Sequence, residues 1–227
     1  MQKIKLTATG IVVAAALLAG TAPAQASVDT APAQASVDTA AAAKGSSKLK
    51  ILKEFDYSRS KTRTLPLRLG EYYRNKRGKM VGFGWTKIKK RHNITKQGII
   101  GWLAKSPNID PQGNRRYGLT GFAHRIKCNS GNCKIVDRRK MILVTDETAT
   151  PVGQGPRFAY FGAVTSYCYD TKKTLKCPTW VNTKFKIPKS AAADVQALNA
   201  GKAADGERYL FTYEPAKTVK GVLTLAS

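Results

Sequence analysis

"GFGWTKIKKRHNITKQGIIGWLAKSP" occupies Gly82–Pro107, and its reading decides the fold. Trp85, Ile88 and His92 fall at i, i+3 and i+7, one stripe of a helix, while Lys87, Lys89, Lys90 and Arg91 lie off that stripe. Asn93 is placed to end this helix and Thr95 to cap the next. Ile99, Ile100, Trp102 and Leu103 then predict a second short helix, stopped by Ser106-Pro107. Joined by a tight turn, the two helices would share one apolar seam.

Downstream the periodicity changes. Tyr117–Cys128, Cys133–Arg139, Met141–Thr145 and Arg157–Tyr169 are rich in β-branched and aromatic residues and read as strands. "CNSGNC" (Cys128–Cys133) has the Ser-Gly centre of a hairpin turn. Ala191–Ala200 reads as a helix, and Tyr209–Glu214 and Val222–Ala226 as late strands. The resulting expectation is an α+β fold, with two short N-terminal helices on a mostly antiparallel β-sheet and a C-terminal extension. Upstream, Leu49–Leu69, punctuated by Pro66 and Gly70, is expected to be irregular or to form one short element, and Arg74–Gly84 a basic loop.

The ends of the chain read differently. Lys3 and Lys5 precede an apolar run at Ile11–Leu18 and a small-x-small site at Ala24-Gln25-Ala26, the order of a secretory signal peptide over residues 1–26. "APAQASVDT" is repeated at Ala22–Thr30 and Ala31–Thr39, so Ala33-Gln34-Ala35 offers a second cleavage site. Residues 27–48 are expected to be a disordered linker, 49–170 an α+β domain, and 171–227 an extension packed on the sheet or extending it. Secretion follows, with no stable membrane insertion, since no later stretch is long and apolar enough to span a bilayer. A monomer is expected.

Charge narrows the partners. The chain carries 39 Lys and Arg against 14 Asp and Glu. Without Met1–Ala26 the balance is 37 − 14 = +23, because that segment holds two lysines and no acid. Such a chain seeks RNA or another polyanion: nucleic acid, teichoic acid or an anionic surface. Lys87, Lys89, Lys90, Arg91 and Lys127 are the candidate RNA contacts. Export permits disulfides, and local pairing of Cys128 with Cys133 and of Cys168 with Cys177 is the expected arrangement. Neither pair has the spacing of a zinc site.

No P-loop, G-x-S-x-G, H-E-x-x-H or EF-hand loop is present, and two histidines cannot make a multi-histidine metal site. Scarce, scattered acids argue against two-metal or paired-carboxylate hydrolysis. No cofactor or metal is expected. RNA cleavage needs only a base for the 2′-OH, an acid for the departing 5′-oxygen and a cation for the developing charge. In "YGLTGFAHRIK" (Tyr117–Lys127), Phe122, His124 and Ile126 share one face and Ala123, Arg125 and Lys127 the other. With Phe122 and Ile126 turned to the helices, His124 is packed inward and Arg125 faces the open side. In "FGAVTSYCY" (Phe161–Tyr169), an inward Val164 would put Thr165 and Tyr167 beside Arg125.

"GFGWTKIKKRHNITKQGIIGWLAKSP" followed by strands ending in "GAVTSYC" resembles the small nuclease toxins of the barnase–EndoU–colicin–RelE-like superfamily, over roughly 78–169. The resemblance implies metal-independent endoribonuclease activity with His92 in the active site. It also implies a basic residue of the first long strand, Arg125 or His124, and the hydroxyl of Thr165 or Tyr167. Two expectations follow: a secreted ribonuclease of toxin type, with an immunity protein as a candidate partner, or a non-enzymatic basic protein that binds cell-wall or nucleic-acid polyanions.

Overall fold

The computed structural model describes residues 47–130, 132–148, 160–169, 174–188, 190–200, 205–219 and 222–225. The expected signal peptide, the direct repeat and nearly all of the expected linker lie outside the described residues. After a short turn at Ser47–Leu49, β1 (Ile51–Tyr57) and β2 (Ser60–Arg68) form a hairpin, and β3 (Glu71–Arg74) and β4 (Met80–Phe83) form another. Then come α1 (Gly84–His92) and α2 (Gln97–Ala104). Next are β5 (Ile109–Pro111), β6 (Arg116–Asn129), β7 (Asn132–Asp146) and β8 (Gly162–Tyr169). The chain continues through α3 (Thr179–Lys184), α4 (Ala191–Asn199), β9 (Gly206–Thr212), β10 (Ala216–Val219) and β11 (Val222–Leu225). The fold is α+β, with four α-helices and antiparallel strand pairing among the described residues.

Two hairpins therefore precede the helices, where the sequence suggested irregular chain or one short element. The signal was present: Phe55 and Tyr57, then Leu65 and Leu67, alternate, and all four are buried in the main core. Pro66 hid it. Proline is tolerated in β2 because that strand pairs only with β1 and keeps one edge free of a ladder.

The main sheet runs β8–β7–β6, with β5 and β9 both pairing the far side of β6. Register assigns its faces. Leu119, Met141, Leu143 and Cys168 line an inner face, in one core with Leu65, Leu67, Ile88, Ile99, Trp102, Leu103 and Val181. Ile126, Cys128 and Leu210 line part of the outer face, under Val195 of α4, Ala216 of β10 and Leu223 of β11. β9 thus joins the sheet built by β5–β8; α4, β10 and β11 cover one end of its outer face, and α3 packs into the inner core through Val181. The other end, around Gly118, Thr120, Ile142, Val144 and Tyr167, stays largely half-buried.

The helices face the sheet's small residues, and this corrects the facing expected from the sequence. A Cβ on Gly121 would lie 2.5 Å from Trp102 Cη2 and 3.0 Å from Leu103 Cδ2. Gly121 and Ala123 leave room for the indole, so Phe122, His124 and Ile126 turn away from α1 and α2. Both expected disulfides form, Cys128–Cys133 at the β6–β7 hairpin and Cys168–Cys177 after β8.

Candidate functional site

α1 begins where two backbones nearly touch. A Cβ on Gly84 (φ +69°) would sit 2.8 Å from Arg68 O, and one on Gly70 (φ +69°) 1.9 Å from Phe83 O. Only glycine supplies both the left-handed backbone and the missing side chain there. The helix ends as the sequence indicates: Asn93 is left-handed (φ 57°) and its N–H bonds back to Lys89 O at 3.2 Å. Lys89, Lys90, Arg91 and His92 fill the last turn, where cations complement the helix dipole. Thr95 is not a side-chain cap. Lys96 precedes α2, and the Thr95 amide donates to Asn182 Oδ1 at 2.8 Å.

Ile88 reaches the inner core, and one turn later His92 lies against the edge strand β8. The imidazole is 2 % exposed. Its Nδ1 donates to Leu175 O at 2.7 Å, and its ring centroid lies 5.6 Å from that of Tyr167. With the proton of the neutral ring on Nδ1, Nε2 keeps its lone pair, and no described residue bonds it. Burial pushes the imidazole down to about 4; the Leu175 bond opposes this, and Arg91 and Lys87 add repulsion. At neutral pH the ring is an uncharged base.

Lys87 is itself held below the ordinary lysine range, first by burial and then by Arg91 and Arg116. Among the described residues neither Lys87 nor Arg91 has an ion pair, whereas Arg116 is bound to Asp146 at 3.0 Å. Cations are thus gathered beside His92 with little acid to neutralise them.

Register places Tyr167 opposite Ile142 and Thr165 opposite Val144, both on the outer face. Burial raises the Tyr167 phenol above its ordinary range, so it stays protonated and can donate. Thr165 is 8 % exposed, and its Oγ1 is buried without a hydrogen-bond partner. The next cross-strand row is Tyr169–Lys140–Phe122, with Lys140 exposed and Tyr169 46 % exposed. Sequence alternation alone could have found Lys140 and Arg116, since both share parity with the outer-facing residues of their strands. The choice of outward face hid them.

Arg125 does not join this group. It lies opposite Asp137 and Tyr209 on the inner-face parity of β6 and pairs with Glu207 at 3.8 Å. The reversal follows from the small residues under Trp102. His124 does share the outer parity, but it is fully buried beneath the C-terminal strands. Its Nε2 lies 3.2 Å from Thr212 Oγ1 and accepts the Ala216 amide at 3.4 Å. Burial and Arg138 hold it down to about 4, as an uncharged pin between β6 and the C-terminal segment. Lys127 sits near the disulfide-closed hairpin tip, opposite Lys134 and Glu207, apart from His92. Lys89 and Lys90 are exposed on α1.

A cleft of about 510 Å³ is bounded by Lys184, Ile187, Leu198, Arg208 and Phe211, and none of His92, Thr165 and Tyr167 borders it. The His92–Tyr167 contact lies where the end of α1 meets β8, apart from that cleft. Among the described residues no group of three or more His, Cys, Asp or Glu is placed to hold a metal. No described helix is long and apolar enough to cross a membrane. No protein-family model, curated protein or solved structure matches this chain.

Proposed function

We propose that this protein is an exported endoribonuclease that cleaves single-stranded RNA by attack of the 2′-oxygen, with no metal in the reaction. The observation that carries the reading is the state of His92. Its Nδ1 is committed to Leu175 O and its ring rests on Tyr167, leaving an uncharged Nε2 beside Lys87 and Arg91. The signal-like leader and the two disulfides support export.

In this reading Nε2 takes the proton of the 2′-OH, and the 2′-oxygen attacks the adjacent phosphorus. The P–O5′ bond breaks as the Lys87 ammonium, more acidic than an ordinary lysine, gives a proton to the leaving oxygen. Arg91 and the Tyr167 hydroxyl hold the phosphate as its charge grows. The products are a 2′,3′-cyclic phosphate and a 5′-hydroxyl. Lys140 continues the electrostatic track along the outer face, and Tyr169 offers a stacking surface for a neighbouring base.

A polyanion-binding protein without chemistry uses the same cations, and the near-complete burial of His92 is the observation on its side. Incubation with an oligoribonucleotide and its 2′-O-methyl counterpart, in EDTA, separates the two. The proposed enzyme cleaves the first, leaves cyclic ends and spares the second. A binder retains both intact.

A further inference from the structure

We propose that the Cys168–Cys177 disulfide, together with the Leu175 carbonyl, is a strap that positions His92, so that the site works in its oxidised form. This deepens the ribonuclease reading and rests on it.

The strap joins the two halves of the site. Cys168 follows Tyr167 on β8, the strand that carries Thr165. Its partner Cys177 is buried and grips the end of α1: its amide donates to His92 O at 2.9 Å, and its carbonyl accepts Asn93 Nδ2 at 2.8 Å. Between the cysteines, Leu175 adopts a left-handed backbone (φ 54°) and turns its carbonyl onto His92 Nδ1 at 2.7 Å. A γ-branched residue holds that conformation only where its surroundings over-determine it. The disulfide closes this segment over a sequence separation of nine and is the covalent part of that constraint.

A dithiol such as dithiothreitol breaks the S–S bond, leaves two thiols and is itself oxidised to a disulfide. Leu175 is then free to leave the left-handed region and withdraw its carbonyl. The imidazole loses the bond that fixes its tautomer, and water reaches it. Among the described residues, the charged or titrating groups nearest it are Lys87 and Arg91 on α1 and Tyr167 on β8, with Lys176 between the Leu175 and Cys177 contacts and Arg139 beside Asn93 and Cys177. The second disulfide, Cys128–Cys133, closes the distant hairpin tip and supplies a control in the same molecule.

The test compares the oxidised full chain with Cys168→Ser/Cys177→Ser and with Cys128→Ser/Cys133→Ser, following RNA cleavage, its pH profile and the NMR titration of the His92 ring. For the first variant we expect kcat to fall about tenfold or more, with KM unchanged within about threefold. Its acid limb and its His92 titration should climb from about 4 toward the ordinary 6.5, because eased burial outweighs the lost carbonyl. The hairpin-tip variant should match wild type in all three. If the first variant cleaves at the wild-type rate with His92 titrating unchanged, the strap is refuted and the ribonuclease reading stands. If the oxidised wild type cleaves nothing, the ribonuclease reading and redox gating fall together, and the ring titration alone judges the positioning. Should the first variant not fold, Asn93→Gly keeps both disulfides and the left-handed backbone but drops one clamp. It should shift His92 in the same direction by less, and no shift overturns the proposal.

Discussion

Acidification should destabilise this protein through its two histidines. Both imidazoles are held at about 4 in the folded chain, His92 by burial over the Leu175 bond and His124 by burial and Arg138. Unfolded, each titrates near 6.5. Below that value the unfolded chain binds protons that the folded chain refuses, so stability is lost as pH falls from 6.5 toward 4 and levels off beneath it. Between about pH 7.5 and 4.5 each ring costs about 2–3 kcal/mol, and the pair about 5 kcal/mol, a large share of ordinary domain stability. Asp146 acts in a different window: its pKa is lowered, by the Thr148 bonds and then Arg116 against burial, so its stabilisation fades only below about 3.8. Urea unfolding at the two pH values measures the loss. His92→Asn keeps a donor near the Nδ1 position, and His124→Gln keeps a group near Nε2. Each variant should shrink the pH-dependent loss by about half, whatever its own effect at neutral pH. A wild-type protein equally stable at both pH values, or variants with an undiminished loss, would refute the argument from buried neutral rings.

Gly121→Ala should destabilise by about 1–3 kcal/mol in urea unfolding, because its methyl group meets the Trp102 ring and Leu103; an unchanged midpoint would mean that α2 does not pack on β6 as described. The salt dependence of RNA binding, measured by fluorescence anisotropy, should weaken by about 0.7 in log–log slope for Lys87→Met or Arg91→Met, and not for Lys127→Met. Equal effects at all three positions would indicate diffuse attraction rather than a track beside His92.

Short-range signals made the helices legible. Trp85, Ile88 and His92 share one helical stripe, Asn93 tolerates the left-handed cap, and the Ser-Gly centre of "CNSGNC" turns β6 into β7. Three features depended on contacts distant in sequence. Pro66 masked the alternation of Leu65 and Leu67, whose burial comes from the whole core rather than from β1 alone. The facing of β6 was inverted because bulk was assumed to point at the helices, whereas Trp102 supplies the bulk and Gly121 the space. That inversion moved Arg125 out of the site and brought Lys140 and Arg116 to its face. His92, Thr165 and Tyr167 were candidates from the sequence, and the structure brings the His92 and Tyr167 rings together. The carbonyl that holds His92 was not, since a main-chain oxygen 83 residues away carries no residue-type signal.

The central claim is that the His92 ring acts as a base on RNA rather than serving as a buried helix end. Single-turnover cleavage of a short oligoribonucleotide in EDTA, with binding measured on the same samples, tests it directly for wild type and His92→Asn. The account predicts cyclic-phosphate products from the wild type and a loss of about 10²–10⁴ in rate for the variant, with affinity retained. Equal cleavage by the two folded proteins, or intact RNA bound by both, would contradict it.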